Sequence, residues 1–477
     1  MLYFMHFSIS LFLLPGLVIS NVTSNEIAYW DRPRAALIRD NVYIEGGWMQ
    51  TGTWKDGGWD IDSLTTANSS NGMLFKLDMH SPFGISTGQS PAMFESIPED
   101  RIQNYYIDGY MFADYNEFYA WGGITFTSAN IGQRTVNLPL YNTSQDTDTE
   151  LGVPNLSYVP QNGSFITVTN GAGANAPSES SGFYFGGFYN QNGTTYSYFD
   201  QPTDQSRWLI TAQMTELGHA NWTKTPLDEG TAWRSEGGLV WVPTSTAGIL
   251  IAIGGVLKPA DMNFEIAQDN STESITFLKE FPVYDIGTST WSLQMLNEGS
   301  PIPDTPLAQF CTVVASGPNG SHHEIFVYGG WDSNGGQALD TVWILTVPSF
   351  TWVKANSPGR TGSARQNHIC VAPYPDQMVV IGGTGSSEAP PTYSSAVDIF
   401  NLNNFNWTGT YDPDIYADYT PHQDILDIIS ATPTAGNMPS EVAGWFDNKY
   451  DMQKVKFYGP YRNDCTATPL GNMIQGE

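Results

Sequence analysis

The sequence predicts an all-β fold built from stacked four-stranded units, and three observations carry that prediction. An apolar run ending in Gly-Gly recurs six times along the chain. A Trp follows several of these runs at a fixed distance from an apolar position. The composition, with 47 Gly, 30 Pro, 13% aromatic and only 14% charged residues, is poor in the Ala, Glu and Lys that helical bundles need.

The first element is the Gly-Gly strand. Its copies are VYIEGGW (42–48), FYAWGG (118–123), FYFGGF (183–188), ILIAIGGV (249–256), IFVYGGW (325–331) and MVVIGGT (378–384). The pairs are Gly46-Gly47, Gly122-Gly123, Gly186-Gly187, Gly254-Gly255, Gly329-Gly330 and Gly382-Gly383, at intervals of 76, 64, 68, 75 and 53 residues. A glycine pair ending a strand marks a positive φ or a close backbone approach.

The second element is a strand pair ending in Trp. Tyr284, Leu345 and Phe400 stand seven residues before Trp291, Trp352 and Trp407. Trp222 closes a weaker copy, Leu209–Trp222. In the first repeat LFKLDMHSPF (74–83) puts Phe83 in the Trp place. In the second, VNLPLY (136–141) is the sole candidate and has no Trp. The third element is a short β run before each Gly-Gly strand: CTVVAS (311–316), HICVAP (368–373), AALI (35–38) and GGLVWVP (237–243). Each repeat thus reads as a four-stranded antiparallel unit. Its apolar runs are nearly continuous, so both faces are buried, and radial stacking closes a ring.

Over roughly residues 27–410 these motifs resemble the kelch repeat family. The likeness is greatest to the secreted or cell-wall-associated kelch proteins of filamentous fungi. It implies a kelch-type β-propeller over residues 21–430, with six blades fitting the count and seven still compatible with the longest intervals. Residues 431–477 are expected to form an irregular tail, with a closing strand over Asp424–Ala431. Some relatives continue into a membrane anchor. This sequence leaves both a soluble form and a truncated one open, and it does not say which terminus closes the ring.

Residues 1–20 read as a secretory signal peptide, with an apolar stretch from Ile9 to Ile19 and a small residue at Ser20, although no Lys or Arg precedes Arg32. Sequons at Asn21, Asn68, Asn142, Asn155, Asn162, Asn192, Asn270 and Asn319 fit a glycoprotein. Those at Asn221 and Asn406 lie beside strand Trp residues and are weaker candidates. Cys311 and Cys370 occupy similar places in successive repeats, which suits either a bridge or two buried thiols; Cys465 has no evident partner. No later stretch is long and apolar enough to span a membrane.

The 48 acidic against 19 basic residues, a net charge of -29, disfavour nucleic acid and anionic membranes as partners. Galactose-oxidase-like copper oxidases share the propeller, and their site needs two His, two Tyr and a cross-linked Cys. The seven His (His6, His80, His219, His322, His323, His368, His422) give no such arrangement, and adjacent His322 and His323 point apart. A glycosidase-like triad of Arg34, Arg234 and Arg365 is weaker than buried arginines bonded to backbone. Asp285 with Gly287 and Trp291 imitates an Asp-box at the wrong spacing. Asp56, Asp60 and Asp62 are oxygen-rich without calcium-loop spacing. Trp48 and Trp331, directly after Gly-Gly pairs, are candidate ligand-face aromatics, with Trp54 and Trp59 in the loop beyond. The reading is a monomeric extracellular scaffold without catalytic residues, metal or cofactor, binding a protein or glycan through its loops. The alternative is an extracellular propeller enzyme.

Overall fold

The computed structural model describes residues 26–56, 58–61, 73–85, 93–98, 106–125, 135–139, 157–159, 168–189, 204–257, 273–357, 363–386 and 395–458. Among them are six four-stranded antiparallel units, each paired in chain order; five are separate sheets, and the sixth continues through the Trp30–Gly383 pair into the strands Glu26–Asp31, Trp48–Lys55 and Gly58–Ile61. Their first strands are Arg34–Ile38, Tyr110–Ala113, Ala172–Ala176, Gly238–Val242, Cys311–Ser316 and Gln366–Tyr374. These strands adjoin in a closed cycle: each approaches the first strand of the next sheet, and the sixth approaches the first. The sheets are the blades of a β-propeller around an axis lined by their first strands.

The continuous apolar runs follow from this stacking. In blade four, Ile249, Ile251 and Ile253 pack against Ile325, Val327 and Leu345 of blade five. The alternate residues Leu250 and Ala252 pack against Ala172, Phe183 and Leu209 of blade three. All five positions of Ile249–Ile253 are buried, because both faces of the strand meet a neighbouring sheet. Each such aliphatic side chain contributes about 1.5–3 kcal/mol by burial.

The Gly-Gly pairs are the joints between blades. Gly122 has φ +79°, and a Cβ there would lie 2.7 Å from the carbonyl oxygen of Val168, in the segment entering blade three. The N–H of Gly123 donates to that same carbonyl at 3.1 Å. The pattern travels round the ring. Gly47 N–H donates to Tyr106 (2.8 Å), Gly187 to Arg234 (3.2 Å), Gly255 to Leu307 (2.8 Å) and Gly330 to Arg365 (2.9 Å), each on the next blade. Gly383 pairs with Trp30, at the entry to blade one, and closes the cycle.

The seven-residue spacing places each Trp directly across its strand pair: Tyr284 opposite Trp291, Leu345 opposite Trp352 and Phe400 opposite Trp407. These rings then pack on the preceding blade. Trp291 meets Phe185 at 5.7 Å, Trp407 meets Tyr328 at 4.8 Å and Trp222 meets Phe112 at 5.0 Å. Trp352 donates its indole N–H to the Leu278 carbonyl at 2.9 Å. In blade one the expectation for Phe83 is corrected. Phe94 stands opposite Leu77 and packs edge-on to Trp30, while Phe83 leaves the sheet to pair and stack with Tyr411. The second blade uses Thr135–Pro139 and Ser157–Val159 as its outer strands.

Cys311 and Cys370 form a disulfide between the first strands of blades five and six, with Cα atoms 5.4 Å apart. Cys465 lies outside the described residues, as does the signal-peptide reading of residues 1–20.

The C-terminal segment departs from expectation. Gln423–Ala431 is a helix, not a closing strand: Ile425, Ile428 and Ile429 fall at i, i+3 and i+4 and pack as one stripe beside Phe326 and Phe405. A second helix, Ser440–Asp447, breaks the irregular stretch expected beyond Ala435. It buries Val442 and Trp445 against blades four and five. The segment then passes under the ring along the strand-turn side. Ala435 N–H donates to Pro348 (blade five) and the Asn448 carbonyl accepts from Ser245 N–H (blade four). The Tyr450 hydroxyl bonds Ser178 (blade three), Lys456 N–H donates to Tyr115 (blade two), and Arg39 (blade one) lies 5.2 Å from the Tyr458 ring. One strap touches every blade.

The joints make a testable prediction. Gly122→Ala, which needs a positive φ and meets a backbone carbonyl, is expected to destabilise the propeller by at least about 2 kcal/mol. Gly409→Ala, with nothing within 4 Å of the added Cβ, serves as the control. Denaturant unfolding measures both, and equal effects would contradict the joint.

Candidate functional site

One mouth of the axis is built by a residue type that the sequence reading did not single out. Directly before its first strand, or at its start, each blade places a non-glycine residue in the left-handed region. They are Arg32, Asp108, Asn170, Glu236, Gln309 and Asn367, with φ between 49° and 64°. Such a conformation costs a non-glycine residue about 1–2 kcal/mol, so six in register signal a structure that offsets the strain. The offset is a circle of hydrogen bonds. Arg32 N–H donates to Asn367 (3.1 Å), Asp108 to Arg32 (3.1 Å), Glu236 to Asn170 (2.8 Å), Gln309 to Glu236 (2.9 Å) and Asn367 to Gln309 (2.9 Å), all at backbone carbonyls. Asn170 N–H completes the circle at Asp108 Oδ2 (2.6 Å).

The side chains of this collar converge on Glu236. Its Oε1 accepts from Asn170 Nδ2 at 3.0 Å and Gln309 Nε2 at 2.9 Å, from the two adjacent blades. Arg32 Nη2 reaches the same oxygen at 3.8 Å from blade one, opposite blade four across the ring. A carboxylate flanked by both neighbours and approached from the opposite blade lies on the axis. Burial raises the Glu236 pKa, partly countered by Arg32 and by the Gln309 and Asn170 hydrogen bonds. Glu236 Oε2 is buried and has no hydrogen-bond partner among the described residues.

From the collar a cavity of about 470 Å³ follows the axis, lined among others by Leu37, Tyr110, Trp241, Val314, Ile369 and Val371. Val455–Tyr458 of the strap line its other end. Its size and apolar walls are those of a small-ligand pocket.

The three arginines singled out in the sequence are buried in the joints. Arg34 pairs with Glu45 and donates to the Gly122 carbonyl at 3.1 Å. Arg365 pairs with Asp398 and donates to Gly382 at 3.1 Å. Arg234 donates to Gly254 at 3.3 Å and lies 4.0 Å from the Phe277 ring; burial lowers its pKa to about 9. Arg34 also lines the axial cavity. Asp285 caps its own hairpin turn, accepting from Thr288 N–H at 2.8 Å. His322 and His323 diverge: His322 bonds Glu324, while His323 bonds Ser316 and is held neutral by burial, its pKa near 3. Asp56 and Asp60 are exposed on a hairpin, and Asp62 is outside the described residues. Among the described residues one group of three metal-ligating types converges, Cys311, His368 and Cys370, with both sulfurs taken by the disulfide.

A Kelch motif family model matches residues 318–359, the Gly329-Gly330 joint and the Trp352 strand of blade five. The same joint recurs in all six sheets. The chain is a kelch-repeat β-propeller protein. It is similar to a kelch repeat-containing protein of Arthroderma benhamiae, 26% identical over 409 residues, which cover 79% of this chain and 56% of that relative. The matched region thus spans little more than half the length of that relative. Among solved structures, that of YjhT aligns at 12% identity with a TM-score of 0.46, covering 80% of this chain and 98% of the other.

The kelch propeller carries its loop hairpins on the collar side. Trp48 opens an extension, Trp48–Lys55 paired with Gly58–Ile61, in which Trp54 and Trp59 meet edge-on at 5.3 Å. Trp331 lies in a short ribbon with Ala308 and Ala338. All four rings are partly exposed. Of the sequons, Asn319 sits exposed in a turn, and Asn221 and Asn406 are exposed on outermost strands. Asn21, Asn68, Asn142, Asn155, Asn162, Asn192 and Asn270 lie outside the described residues.

On the strand-turn side, His80 is clamped between Asp40 (2.8 Å) and Asp78 (3.1 Å). The hydrogen bond to Asp40, then that to Asp78, raises its pKa to about 9. A His raised above its unfolded value of 6.5 contributes stability that is fully present below that pH and lost as pH rises through about 9. The melting-temperature gap between wild type and His80→Ala is therefore expected to narrow from neutral pH toward about pH 10. A gap independent of pH would contradict the clamp.

Proposed function

We propose that this kelch propeller is a non-catalytic extracellular scaffold that binds a protein or glycan on its collar face. The observation that carries the reading is the asymmetry of the two faces. The strap of residues 423–458 covers the strand-turn side, touching all six blades. The opposite side presents the hairpin extensions, with partly exposed Trp48, Trp54, Trp59 and Trp331. Partly exposed indoles stack on sugar rings and anchor protein interfaces. The extracellular setting is supported by the apolar N-terminal stretch, the sequons and the Cys311–Cys370 bridge, since disulfides persist in oxidising compartments. The charge of -29 favours cationic or neutral partners.

The test is to express the chain with its native N-terminus in a secreting host and probe the product on a glycan array and by cross-linking to extracellular proteins. We expect one ligand class whose binding falls about tenfold or more in Trp54→Ala/Trp59→Ala, as for anchor aromatics, with the melting temperature unchanged. Retention inside the cell, or a ligand indifferent to the double variant and cross-linked to the strap face, would sink the reading.

A further inference from the structure

We infer that the axial carboxylate of Glu236 is the receptor for a primary ammonium group carried on an alkyl stem. This goes beyond the docking reading and does not depend on it, because the site lies on the axis rather than on the loops.

The first argument is the unfinished hydrogen bonding of Glu236. Its residue is 7% exposed, and its two oxygens are treated unequally. Oε1 takes Asn170, Gln309 and Arg32, while the buried Oε2 takes nothing among the described residues. A buried carboxylate oxygen left unmet costs more than the bond it lacks gains. A donor arriving from the axis completes the set. Three donors on an ammonium suit it, since Oε2 needs one and Gln309 or Asn170 side-chain oxygens are within the same collar.

The second argument is charge. The ionisable residues of the collar are Arg32 from blade one, Asp108 from blade two and Glu236 itself, one positive and two negative. Asn170, Gln309 and Asn367 are neutral. Arg34, which also lines the cavity, is paired with Glu45, and the two further cations of the wall, Arg39 and Lys456, belong to its far end, where Arg39 bonds Asn116 and faces Tyr458. His368 is held neutral by burial, with its pKa near 3. The collar is thus short of one positive charge, and a chain of net charge -29 concentrates cations around it.

The third argument is the wall. Below the collar the cavity of about 470 Å³ presents Leu37, Tyr110, Trp241, Val314, Ile369 and Val371. An alkyl stem finds apolar contact there and its charged end finds the carboxylate, the division of labour of a lysine side chain. The stem belongs either to a free alkylamine in the cavity or to a lysine of a partner entering through the collar.

Proton linkage gives the sign of the pH effect. Burial raises the Glu236 pKa, with Arg32 and the hydrogen bonds from Gln309 and Asn170 lowering it and Asp108 raising it further. A cation binds the ionised form, so binding releases a proton from the protonated fraction, and affinity rises with pH until free Glu236 is fully ionised.

The experiment is calorimetric titration of the full chain with n-butylamine, 1-butanol and a terminally blocked Gly-Gly-Lys-Gly-Gly peptide. We expect n-butylamine to bind saturably, 1-butanol not to, and the amine affinity to rise as the pH is raised above the ordinary glutamate value of 4.5, levelling once Glu236 is ionised. Glu236→Gln should weaken the amine by about tenfold or more, the loss of a hydrogen bond to a charged group. Binding of the peptide as well assigns the site to a partner's lysine; binding of n-butylamine alone assigns it to a free amine. No amine binding, equal binding of 1-butanol, or an affinity unmoved by Glu236→Gln overturns the inference. Should the variant not fold, the amine-against-alcohol comparison and the pH slope on wild type decide it.

Discussion

One hydrogen bond, repeated between blades, organises this molecule: a glycine N–H of one blade donates to the carbonyl entering the next. The bond forms only because the preceding residue has no side chain. At Gly122 a Cβ would occupy the space that the Val168 carbonyl needs. Backbone therefore meets backbone at each joint. The buried arginines Arg34, Arg234 and Arg365 bond the Gly122, Gly254 and Gly382 carbonyls, and the Trp30 indole bonds that of Gly46. Around the joints the blades bury alternate faces of the same strands, as Ile249–Ile253 shows between blades three and five. A sheet with two apolar faces has no stable existence alone, so closure of the ring and folding of each blade are one event.

Two further devices tie the ring. Inside, six left-handed residues form the hydrogen-bonded collar and bring Glu236 to the axis. Outside, the strap from residue 423 to residue 458 crosses the turns of every blade and ends beside the cavity. The disulfide between Cys311 and Cys370 adds a covalent link between two adjacent first strands. The consequence for function is a scaffold with one face covered, one face bearing hairpins, and a polar mouth leading to an apolar chamber.

How much of this was legible in the sequence depends on which physical signal each part leaves. The Gly-Gly joints leave a residue signature, because no other side chain fits, and all six were found. The Trp strands were legible through the seven-residue spacing, which is the cross-strand distance round a hairpin. Blade one misled because a long insertion separates Leu77 from Phe94, so the nearer Phe83 took its place. The helix at Gln423–Ala431 was misread because DILDIISA is β-rich in composition, while its isoleucines fall at helical spacing. The collar left almost no signature. Arg32, Asp108, Asn170, Glu236, Gln309 and Asn367 have no single residue type in common, only a backbone conformation and a place just before or at the start of the first strand. Aligning the repeats on that strand start would have exposed them as a column of polar residues.

The central claim is that blade folding and ring closure are inseparable, with the glycine amides at the joints. Native-state hydrogen exchange resolves this directly at Gly47, Gly123, Gly187, Gly255 and Gly330. The account predicts that these amides exchange in the slowest class, together with the central strand amides of their blades and with the same free energy of opening. Exchange at any joint through a separate, lower-energy opening, while the flanking strands stay protected, would contradict it.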